Sequence, residues 1–209
     1  MTSAPQADTR LVLPPYAQGM RIGLFGGTFD PPHEAHLAAC LLAMKKLGLD
    51  RVWWLVTPGN PLKDKKELTP LADRIRAIKD FARDPRIVVT GFEEAIGSHY
   101  TFQTVSFLRR RCPGVRFVWI MGADNLRSFH RWQNWKGIAR MIPIAVVDRL
   151  VPDLSATGGI AAQALGRWRV PESGVKTLPD RRPPAWAYLH GLKSGLSSTA
   201  LRRKAQHKA

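Results

Sequence analysis

Apolar positions along the chain alternate between two spacings. Short continuous runs at IGLF (22–25), VWWLV (52–56), IVV (87–89), VRFVWIM (115–121) and IPIAVV (142–147) predict buried strands. Between them the spacing widens to that of helices. LAACLLAMKKL (37–47) forms one such segment and Gly48 stops it. Thr69 and Pro70 open another, with Leu71, Ile75, Ile78 and Phe81 along one face. Thr101 suits the cap of a third, which carries Phe102, Val105 and Leu108, and WQNWKGIARM (132–141) is a fourth. From Val151 to Pro184 the pattern weakens to a short alanine-rich helix around 155–165, followed by one further strand at AWAYL (185–189). No internal repeat is present.

Strands that alternate with helices at this spacing imply βαβ units, hence an α/β, doubly wound parallel sheet. Ligands of such sheets sit beyond the carboxyl ends of the strands. GGTFDPPHEAH, TPGNPLK and GADN follow the first, second and fourth predicted strands. Their convergence at one end of the sheet predicts a single site there.

Composition narrows the class. A chain of 209 residues, 44% hydrophobic, is ample for one core. The expected organisation is a leader over residues 1–20, one domain over 21–203 and a basic tail over 204–209. No run approaches membrane-spanning length, and the leader lacks the basic start and apolar stretch of a secretory signal. Cys40 and Cys112 each lie in an apolar helical pattern and read as reduced core thiols of a cytoplasmic protein. The net charge of +16 changes the picture more, because it favours nucleic acid, acidic membranes or phosphate-rich small molecules over neutral ligands. A merely solvated basic surface is the alternative. After Asp180 there is no acidic residue, while Arg181, Arg182, Lys193, Arg202, Arg203, Lys204 and Lys208 follow.

The segment GLFGGTFDPPHEAHL carries the clearest chemistry. Gly26 and Gly27 permit a sharp turn and a close backbone approach to a ligand. Pro31 and Pro32 stiffen the entry to a helix, from whose start His33 and His36 project on one face. Imidazole donors and the positive end of a helix dipole together suit an anion. Zinc is a poorer reading, since HEAH lacks HExxH spacing and no Cys/His pair elsewhere supplies partners. A purely structural role is the other alternative. Near the far end, Ser197 or Ser198 can cap a helix beginning at Thr199, with Arg202 on the same face as Ser198; a hydroxyl, free N–H groups and a guanidinium then suit a phosphate.

These two segments resemble the paired signatures of the HxGH nucleotidyltransferase superfamily: GGTFDPPHEAH matches its strand–loop–helix motif, and LSSTALR (196–202) its ISSTxxR motif. PGNPLK and MGADNLRSFHRWQNWKGI further resemble the bacterial nicotinate-nucleotide adenylyltransferases rather than the pantetheine-phosphate or cytidylyl branches. The resemblance covers roughly residues 21–203 and implies a Rossmann-like nucleotidyltransferase fold. It also implies adenylyl transfer from ATP to nicotinate mononucleotide, with Mg2+ accompanying the ATP and no protein-built metal site. Within the same fold, nicotinamide mononucleotide or pantetheine phosphate is the alternative acceptor; a basic nucleic-acid-binding protein is the alternative of another class.

The resemblance assigns roles residue by residue. His33, His36 and Arg202 become the catalytic set. Gly26, Gly27, Thr28, Phe29, Lys63, Gly122, Asp124, Ser198 and Thr199 would bind ATP, with Asp124 on a ribose hydroxyl. Thr101, Trp132 and Gln133 would receive nicotinate mononucleotide, Trp132 by stacking. Trp53, Trp54, Trp119 and Trp135 read as packing residues, and His99 and His130 as structural or solvated. Two departures stand out: Ala35 replaces the motif glycine, and Gln133 stands where some relatives carry an aromatic.

Overall fold

In the computed structural model, residues 11–59, 68–148 and 157–191 are described. Seven strands form one sheet: β1 (Arg21–Gly27), β2 (Arg51–Val56), β3 (Ile87–Thr90), β4 (Arg116–Gly122), β5 (Ile144–Val147), β6 (Arg169–Val170) and β7 (Trp186–Leu189). Their spatial order is β3-β2-β1-β4-β5-β7-β6, and every neighbouring pair is parallel. The chain builds outward from β1 through β2 to β3, then returns to lay β4 on the other side of β1. That reversal opens a crevice between the carboxyl ends of β1 and β4. All six predicted strands are present; the two-residue β6 is additional, too short to leave a periodic signal.

Seven helices accompany the sheet among the described residues: α1 (Glu34–Leu47), α2 (Leu71–Phe81), α3 (Phe92–Ala95), α4 (Thr101–Arg111), α5 (Ala123–Ser128), α6 (Trp135–Met141) and α7 (Ile160–Ala164). A 3₁₀ segment at Glu172–Asp180 lies between β6 and β7. Both sheet faces are covered, which is why the strands read as unbroken apolar runs. One core joins Leu24, Trp53, Leu55, Phe117 and Trp119 to Val105 and Leu108 of α4 and Ile138 of α6. The other joins Phe25, Trp54, Val118 and Ile120 to Ala39, Cys40 and Met44 of α1 and Ile78 of α2. Successive strand residues point to opposite faces, so adjacent Trp53 and Trp54 anchor different cores.

Several local expectations are corrected. The first helix begins at Glu34, not residue 37, so the histidine segment is itself its opening turn; Gly48 ends it in the left-handed region at φ 62°. Thr101 is the first residue of α4 rather than its cap, a position held by extended Tyr100. α6 begins only at Trp135, because Asn134 takes a left-handed conformation and Trp132 is extended. The alanine-rich helix is confined to Ile160–Ala164 among the described residues. Cys40 and Cys112 are buried free thiols, with Cys40 pushed up to about 12 by burial.

Candidate active site

The first wall of the crevice is the end of β1. Register pairs Gly27 with Val56 of β2 and Phe25 with Ile120 of β4, which brings Gly26, Gly27 and Gly122 to the same rim. The two β1 glycines serve packing rather than torsion. A Cβ on Gly26 would lie 2.8 Å from the Trp119 ring, and one on Gly27 would lie 3.1 Å from the Phe29 ring. The left-handed residue of the turn is instead Phe29, at φ 48°. A bulky residue held there is costly unless its surroundings over-determine it. Here the Phe29 ring is buried and stacks on Trp54 at 4.7 Å. The expected ATP contact of Phe29 is therefore restricted to its backbone, because its side chain belongs to the core.

His33 is the N-cap of α1, with φ −152° and ψ 165°, and its carbonyl accepts from the His36 N–H at 2.8 Å. The two imidazoles lie face to face, centroids 3.7 Å apart and planes inclined by 24°. His33 is buried and His36 half-buried. Phe29 and Phe25 meet the His36 ring edge-on at 5.0 and 6.1 Å, fixing its orientation. Paired imidazoles at a helix N-terminus present nitrogen donors and a partial positive charge to an anion. Ala35 between them is fully buried.

Beneath this loop lies a polar network that sequence reasoning missed. Asp30 accepts from the Thr69 N–H at 3.0 Å and its hydroxyl at 2.9 Å. Arg74 of α2, also buried, donates to the carbonyls of Thr69 at 2.8 Å, Thr28 at 2.9 Å and Thr57 at 2.8 Å. Burial pulls the Arg74 guanidinium below its ordinary value, while the Asp30 and Glu94 carboxylates oppose that effect. One signal was present in the sequence: Arg74 falls three after Leu71 and four before Ile78, on the apolar stripe of its helix.

β4 and the elements on either side of it in the chain carry the other expected residues: Gly122 and Asp124 for ATP, and Thr101, Trp132 and Gln133 for the acceptor. Gly122 is buried and caps α5, with exposed Asp124 in the first turn. Trp132 is half-buried, meeting Phe129 edge-on at 5.3 Å and Trp119 at 6.3 Å; Gln133 is exposed. Trp119 thus fills the space that a side chain at position 26 would need and also meets the Trp132 ring at a near right angle. Half-buried Thr101 opens α4. Below it the Thr104 hydroxyl donates to buried Glu93 at 2.6 Å and lies 2.8 Å from the Ser98 hydroxyl. Burial pushes Glu93 up to about 7, the Thr104 bond notwithstanding. Trp53, Trp54 and Trp119 are buried and Trp135 packs against the core, as packing residues should; His99 is exposed.

Lys63, Ser198, Thr199 and Arg202 lie outside the described residues. Among the described residues, no group of three or more His, Cys, Asp or Glu is placed to hold a metal ion, and no helix is long and apolar enough to cross a membrane.

Residues 24–204 match the cytidylyltransferase-like family. A Bradyrhizobium protein named "Probable nicotinate-nucleotide adenylyltransferase" is 58% identical over 183 residues, covering 88% of this chain and 95% of the relative. A protein of the same name from Rhizobium meliloti is 53% identical, covering 88% of this chain and 97% of the relative. Among solved structures, the Plasmodium falciparum nicotinic acid mononucleotide adenylyltransferase complexed with NaAD superposes with a TM-score of 0.60 at 16% identity, over 88% of this chain and 83% of that one. The complex of the same enzyme with APC gives 0.63 at 15% identity, with the same coverage. At these identities the two structures speak for the fold.

Proposed function

Since the chain belongs to the cytidylyltransferase-like family, among its nicotinate-nucleotide adenylyltransferases, we propose that it joins ATP to nicotinate mononucleotide, releasing nicotinate adenine dinucleotide and pyrophosphate in NAD biosynthesis. The observation that carries this reading is the stacked His33–His36 pair at the N-terminus of α1, set at the sheet's reversal point beside Gly27.

In the reaction, an oxygen of the mononucleotide phosphate attacks the α-phosphorus of ATP. The bond from that phosphorus to the oxygen bridging to the β-phosphate breaks, and pyrophosphate departs with that oxygen. The attacking phosphate is already ionised at neutral pH, so catalysis rests on positioning and charge stabilisation. His33 and His36 donate to the phosphate oxygens on which charge builds. The positive end of the α1 dipole adds to this stabilisation. Mg2+ arrives as part of the ATP substrate, held by phosphate and water rather than by a carboxylate cage. Asp124 accepts from the adenosine ribose, and Gly122 permits close approach. Trp132 stacks on the pyridine ring, with Thr101 and the Gln133 backbone beside the nicotinate carboxylate. Lys63, Ser198, Thr199 and Arg202 take the β- and γ-phosphates in the role that the motif resemblance gives them. The catalytic unit comprises residues 21–203 and works in the cytoplasm on freely diffusing substrates.

A pyrophosphate-release assay with MgATP and each of three acceptors tests the assignment. Nicotinate mononucleotide should give the highest kcat/KM. Equal or better use of nicotinamide mononucleotide or pantetheine phosphate would overturn it.

A further inference from the structure

We propose that Arg74 is a positioning residue for ATP, shaping the phosphate-facing loop from behind through the carbonyls it holds. This inference rests on the function proposed above. Arg74 is 3% exposed, and its donors converge on three chain segments: Thr28 after β1, Thr57 after β2 and Thr69 before α2. The same segments are joined again by two further contacts. The Thr57 N–H donates to the Gly27 carbonyl at 3.1 Å, and Asp30 accepts from Thr69.

The consequence follows from peptide geometry. A peptide unit is planar, with its C=O and N–H pointing oppositely. Holding the Thr28 carbonyl on the guanidinium therefore turns the Phe29 N–H to the side of the loop opposite Arg74. It also steadies the left-handed φ of 48° at Phe29, whose ring in turn orients His36. Arg74 touches neither substrate in this scheme; it sets where the loop backbone and the His36 ring present their donors. The effect is confined to one substrate. α2 packs into the core shared with α1, whereas α4, which begins at Thr101, packs into the core on the other sheet face. A fork of donors is needed for three carbonyls, and a lysine ammonium cannot reproduce its planar geometry.

Equilibrium binding of Mg2+-α,β-methylene ATP and of nicotinate mononucleotide separates this role from general support of the fold. Arg74→Gln should weaken the ATP analogue about tenfold or more, while the mononucleotide Kd stays within about twofold. Arg74→Lys should recover only part of the loss. Steady-state kinetics should show the same split, with KM for ATP rising and KM for the mononucleotide unchanged. Equal loss for both ligands, or unchanged binding of the analogue, overturns the inference. Where Arg74→Gln does not fold, Arg74→Lys decides by the same criterion, since it keeps the charge and removes the planar fork: a loss selective for the ATP analogue supports the inference, and none overturns it. Wild-type protein that fails to bind the analogue overturns the proposed function itself.

Discussion

Replacing Glu93 by glutamine should make the protein's stability less sensitive to pH. Glu93 is 7% exposed, accepts from Thr104 and is pushed from an ordinary 4.5 up to about 7 by burial. Burial disfavours the carboxylate, so the native state holds a proton that the unfolded chain releases above pH 4.5. The sign follows: stability associated with this proton is complete below 4.5 and is lost as the pH rises through about 7. Moving one group from 4.5 to about 7 corresponds to about 3 kcal/mol. Glutamine keeps an acceptor for the Thr104 hydroxyl and cannot ionise. Urea unfolding followed by tryptophan fluorescence at pH 5 and pH 8.5 measures both proteins, and the variant-minus-wild-type difference cancels every other titrating group. That difference should move by about 2–3 kcal/mol in favour of E93Q between the two conditions. With a urea slope of about 2 kcal/mol/M, the midpoints should shift by about 1 M relative to each other. A difference that is the same at both pH values would refute the assignment of a buried, neutral Glu93 at low pH.

Two further outcomes are specific to the site. His36→Ala should lower kcat by about 10²-fold or more with little change in Tm, because the ring is half-buried and its charge stabilisation is needed only as the reaction proceeds; unchanged turnover would remove His36 from the mechanism. Gly26→Ala should destabilise the protein by about 1–3 kcal/mol, since its Cβ would sit 2.8 Å from a rigid Trp119 ring that is buried and braced against Trp132. Calorimetry should then show a Tm lower by several degrees, and an unaltered Tm would contradict that packing.

Much of this molecule was legible along the chain. Strands buried on both faces must be apolar throughout, so IGLF, VWWLV, IVV and VRFVWIM announced themselves, and their alternation with helices determined a parallel doubly wound sheet. The same order told which loops share one rim, and the histidines three apart at a helix start gave the expectation of an anion site there. What the chain concealed depends on contacts between residues far apart in sequence. Gly26 and Gly27 invited a torsional reading, yet only the placement of Trp119 and Phe29 shows that they make room for rings. Phe29 carries no sign of its left-handed backbone, because that conformation is held by Trp54 and by the Thr28 carbonyl on Arg74. Arg74 gave only the faint signal of its place on an apolar helix face and Glu93 gave none, until folding buried one beneath three carbonyls and the other against Thr104. Local sequence thus determined the elements, their order and the rim that their loops share. Tertiary structure alone decided how that rim is braced, because desolvation and hydrogen bonding of a buried charge exist only once distant segments have closed around it.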